Sequence, residues 1–168
     1  MSSRLSFTAC LLVACLALSA TPTEAKGRKD PALRAQIRQL MTDFRAQRAP
    51  LQDQVKVCGQ DYLAALKLAL NLDDAGIDAL EVQLDAAYEV AEDRFELLPD
   101  ADQLQATLRT YILEELKKVT DGATADAALR TTLDGYSTTF VDCVLPLKAQ
   151  IATLRETTKA AIRTLVGK

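Results

Sequence analysis

The side chains that most often carry catalysis are nearly absent from this chain. It has no histidine, the commonest general base and metal ligand. Beyond residue 25 its one serine is Ser137, with no imidazole to take a proton from it. A ferritin-like di-metal centre needs Glu-x-x-His pairs and cannot be assembled. The acidic neighbours Asp73-Asp74, Glu92-Asp93 and Glu114-Glu115 would diverge in direction on a helix, and none fits an EF-hand loop. They read as solvated faces. The sequence therefore points to a non-enzymatic protein with no catalytic residue, no metal site and no cofactor.

Cysteine is the exception. Cys10 and Cys15 lie in an apolar run, Leu5 to Leu18, which follows Arg4 and precedes small residues ending in Thr23-Glu24-Ala25. That order is a secretory signal peptide over residues 1–25, with one domain over 26–168. Leu12-Val13-Ala14-Cys15 also fits a lipobox, but Leu16-Ala17-Leu18 continues the apolar run where a lipoprotein would turn polar. The implied location is extracellular, or periplasmic in a bacterium. Cleavage leaves Cys58 and Cys143, which in an oxidising compartment read as one disulfide. No second stretch is apolar and long enough to span a membrane.

Two binding constellations stand out. Tyr62, Tyr88, Tyr111 and Tyr136 fall one on each of four helical segments, about 12, 21, 14 and 17 Å from a shared end by helix rise. They form either a layer around a small apolar ligand or four boundary residues with hydroxyls leaning to water. The second constellation is basic. Arg34, Arg38, Arg45 and Arg48 precede Pro50, and Arg155 and Arg163 follow Pro146. The segment from Asp73 to Asp102 is acidic, with Arg94 as its one cation. The arginines either form a contact pole for an anionic partner or fold back and neutralise the acidic helix. A formal net charge of −3, with no aromatic residues interleaved among the cations, argues against nucleic acid.

The elements that must position these residues are helical. Leu33, Ile37, Leu40, Phe44, Leu51, Val55, Cys58, Tyr62, Leu66 and Ala69 hold one phase from Pro31 to Leu70. A similar stripe from Leu129 to Leu165 marks a last helix, opened by Thr124 and running to Val166. Between them, Ile77 to Leu98 and Leu104 to Val119 supply two shorter stripes. The shorter helices should cover about Asp74 to Leu98 and Ala101 to Thr120. Asp100 and Gln103 would form a capping box, and Asp121-Gly122 a stop. The expected fold is all-α: an antiparallel bundle of four main helices, the outer two long and kinked or broken at Pro50 and Pro146.

On this plan both prolines fall where the four-helix layer runs out. Because the stripes hold phase through them, residues 31–49 and 147–166 should extend as a stalk rather than fold back. Cys58 and Cys143 differ in height by about 9 Å on the same ruler, a gap that tilt or loop length must absorb. No residue motif assigns a family. The function read from these features is a secreted binding protein acting on another protein. The alternatives are a carrier of a small apolar ligand, and a protein that binds lipid or polyanion surfaces.

Overall fold

The structure is a computed structural model that describes residues 30–96 and 104–167. The signal-peptide reading of residues 1–25 and the Asp100–Gln103 capping box lie outside the described residues. The described residues form four helices, α1 Pro31–Leu70, α2 Asp74–Glu96, α3 Leu104–Ala123 and α4 Ala127–Val166, with no strand among them. They pack as an all-α bundle. α1 lies along α4, and α3 packs against both α2 and α4. α1 and α2 approach each other little, although three residues join them.

Local chemistry sets the helix ends. Asp30 caps α1 by accepting the Ala32 and Leu33 amides, and Pro31 fits the first turn, where no backbone donor is needed. Asn71 ends α1 in the left-handed region at φ 51°, a conformation that its short amide side chain tolerates. Asp73 accepts the Gly76 amide at 2.8 Å and starts α2. Two expected boundaries shift. Gly122 is helical and does not stop α3, which continues to Ala123. α4 opens at Asp126 rather than Thr124, because the Asp126 carboxylate takes the Ala128 and Leu129 amides. Thr124 instead accepts the Asp126 amide.

Both prolines are inside helices, and neither breaks one. Proline removes one backbone donor and so frees the carbonyl four residues earlier. Pro50 and Pro146 are exposed, as are Ala46 and Asp142, whose carbonyls lose a partner. Water can satisfy those carbonyls, so a long helix survives.

All buried side chains among the described residues lie below the prolines. They come from residues 58–66 of α1, 80–91 of α2, 112–120 of α3 and 133–145 of α4. Leu66, Leu84, Ile112, Leu116 and Leu133 are the most deeply enclosed large residues. Above the prolines the same stripes continue as Leu33, Ile37, Leu40 and Phe44, and as Ile151, Leu154 and Ile162, but every one is only half-buried. Among the described residues only α1 and α4 continue there, as a two-helix stalk. Forty residues of helix are about 60 Å long. Small-angle scattering should accordingly give a maximum dimension near ~65 Å; a value near ~45 Å would mean that the ends fold back.

Candidate functional site

The disulfide fixes where the stalk leaves the bundle. Cys58 and Cys143 are bonded, with their α-carbons 6.1 Å apart. The late start of α4 removes about 3 Å of the expected height difference, at 1.5 Å per residue, and loop length and tilt absorb the rest. Cys58 is buried, but Cys143 is exposed. The core positions of that turn are Phe140, Val141 and Val144, so Cys143 stands at the edge of the α1–α4 seam rather than within it.

Above this staple, Arg34, Arg38, Arg45, Arg155 and Arg163 are exposed, and none forms an ion pair with a described carboxylate. Arg48 is half-buried and lies 6.0 Å from the centre of the Phe44 ring. The arginines therefore do not neutralise α2. The carboxylates and cations of the bundle pair locally instead. Lys67 binds Asp74, and Lys148 reaches Glu92 at 2.6 Å. Arg94 meets Glu114 and Glu115 and stacks 4.1 Å from the Tyr111 ring centre. Arg109 spans to Asp142 with two hydrogen bonds.

Sequence periodicity alone could not find the Arg94 and Lys148 bridges, because they join residues on different helices. Lys148 lies at the base of the stalk, 4.2 Å from the Tyr88 ring centre. Burial pulls its pKa down, but Tyr88 and Glu92 outweigh that and hold the ammonium above its ordinary value. On the acidic side, burial, joined by repulsion from Asp85 and Asp78, pushes the Glu81 carboxyl up. Asp85 is raised in the same way, by burial and then by Glu89.

The four tyrosines differ in burial and in their neighbours. Tyr62 and Tyr88 are buried and share Phe140 as a neighbour, Tyr62 stacked at 4.7 Å between ring centres and Tyr88 edge-on at 6.4 Å. Tyr111 is half-buried beneath Arg94, and Tyr136 is half-buried on α4. The Ser137 hydroxyl donates to the Leu133 carbonyl, so Tyr62 donates to Ser137 Oγ at 2.8 Å.

Burial pushes the Tyr62 pKa up to about 12, against a smaller lowering by Ser137 and with a further rise from Asp134. The neutral phenol is thus favoured in the folded state. Its contribution to stability is complete below pH 10 and is lost as pH rises towards 12. Ultraviolet titration should show Tyr62 ionising near pH 12, and Tyr62→Phe should remove that contribution. A titration that Tyr62→Phe leaves unchanged near pH 12 would contradict this placement.

No described helix is long and apolar enough to cross a membrane. No protein-family model, curated protein or solved structure matches this chain.

Proposed function

We propose that the chain is a secreted, non-enzymatic binding protein whose contact surface is the basic stalk and whose partner is an acidic protein. One observation carries this reading: a pair of helices projects exposed arginines, none within ion-pair distance of a described carboxylate, and Glu156, which pairs with Lys159, also feels Arg155 and Arg163. Like charges held on a shared scaffold create a strong local field, which speeds encounter with an anionic partner and selects for one. The disulfide fits an oxidising compartment. The buried tyrosines lie against Phe140, an arrangement that belongs to a packed core.

Two measurements test the proposal. Expressed with its N-terminal segment in a secretory host, the protein should enter the medium with a mature terminus at or near Lys26. Retention in the cell with residues 1–25 still attached would overturn secretion. Native mass spectrometry of the protein from its source should show an acidic protein bound at low ionic strength. That complex should dissociate steeply as salt approaches ~0.5 M, where the screening length falls to about 4 Å. A partner held equally well in high salt would remove the basic stalk from the account.

A further inference from the structure

The basic residues of the stalk continue two rows that begin inside the bundle. On α1, Arg34, Arg38, Arg45, Lys56 and Lys67 follow at separations of four, seven, eleven and eleven residues. Each separation is close to a whole number of helical turns, so these side chains share a face. Lys67 ends the row on Asp74, the first residue of α2. On α4, Lys148, Arg155, Lys159 and Arg163 follow at seven, four and four. Lys148 starts that row on Glu92 of α2. The α4 row thus starts on α2 itself, and the α1 row ends at the turn that leads into α2.

Along the stalk, half-buried Ile37, Met41 and Phe44 of α1 and Ile151 and Ile162 of α4 accompany these rows. Inside the bundle the equivalent stripe is closed, with Tyr62, Leu66, Phe140 and Val144 all buried. Two helices cover only one seam of each other, so the stalk is half of a four-helix layer.

We infer that an acidic amphipathic helix of the partner completes this layer, lying along the stalk where α2 would continue. The inference rests on the proposed binding role of the stalk. The bundle itself shows the matching chemistry: where the two basic rows meet a helix, that helix carries Asp74, Asp78, Glu81, Asp85 and Glu92. The occupant should present apolar residues at three- and four-residue spacing, flanked by Asp and Glu, over about five turns.

A featureless polyanion would match the charge but leave the apolar seam open. A second copy docking stalk to stalk would oppose like charges. α2 of a second copy is acidic, but its exposed stripe is Ala75, Ala79, Val82, Ala86 and Val90, too small to fill a seam of Ile, Met and Phe.

The test uses the protein recovered from the medium of a secretory host and three labelled probes of equal length. The probes are a helical peptide with Leu in phase and Glu flanking, the same composition with the Leu residues out of phase, and polyglutamate. Fluorescence anisotropy should show the in-phase peptide binding at least about tenfold tighter than either control. Arg34→Glu with Arg38→Glu, and separately Ile37→Gln with Ile151→Gln, should each weaken it by about tenfold or more at unchanged bundle melting. Equal binding of all three probes would overturn the helical occupant while leaving the basic contact surface standing. Binding of none at low salt would overturn both. A salt-sensitive dimer of the protein alone that excludes the peptide would assign this face of the stalk to a second copy and overturn the inference.

Discussion

Replacing Phe140 with alanine should lower stability by about 3–5 kcal/mol, and replacing Phe44 with alanine should lower it by about 1 kcal/mol or less. Both are phenylalanines on the inner stripe of a forty-residue helix. What differs is the enclosure. Phe140 is 5% exposed and takes Tyr62 on its face and Tyr88 at its edge. Removing it leaves a cavity bordered by two rings, one of which is also held by Ser137, so the walls cannot easily collapse. Phe44 is half-buried in the stalk, where water already reaches one side and local opening can absorb the change. At this size the Phe140 variant should melt roughly 10–15 °C below the parent and Phe44→Ala within a few degrees of it. Calorimetry of both variants decides the matter. Equal losses would mean that the stalk belongs to the same cooperative unit as the bundle.

Much of this architecture is legible in the sequence because helical periodicity is a local signal. The stripe from Leu33 to Ala69 gives α1 its ends, and Asp30-Pro31 supplies a recognisable start. Proline punctuation is harder to read. Whether Pro50 breaks the helix depends on whether its freed carbonyl faces water, and that follows from which side α4 covers. Gly122 misleads for a related reason: glycine permits a left-handed cap without requiring one, and the Asp126 side chain settles where α4 begins. The tyrosines illustrate the limit of a one-dimensional ruler. Rise along the axis places them at comparable heights, but their rotation about each helix sends Tyr62 and Tyr88 to Phe140 and Tyr111 to Arg94. The basic pole was visible as composition. That its arginines stay clear of α2 depends on two helices remaining continuous through their prolines, which composition does not report.

Breaking the Cys58–Cys143 bond should lower stability by about 3 kcal/mol and the melting temperature by roughly 10 °C. The bond closes a loop across a sequence separation of 85. For a loop of that length the chain-entropy argument gives about 4–5 kcal/mol, and real proteins usually realise less. Cys143 is exposed, so a mild reductant should reach the bond without prior unfolding. Melting with and without reductant, checked by counting free thiols, measures the effect; Cys58→Ser with Cys143→Ser should reproduce it. Unchanged melting with two free thiols would show that helix packing alone holds α1 to α4. The position of the bond adds a second consequence. Cys58 lies eight residues from Pro50 and Cys143 three from Pro146, so the staple sits where the bundle hands over to the stalk. Below it four helices fix the rotation of α1 and α4; above it only their shared seam does. Without the bond the helices can turn about their axes, and the two basic rows need no longer hold their relative orientation. Affinity of the reduced protein for an acidic amphipathic helix should therefore fall even at temperatures where the bundle remains fully folded.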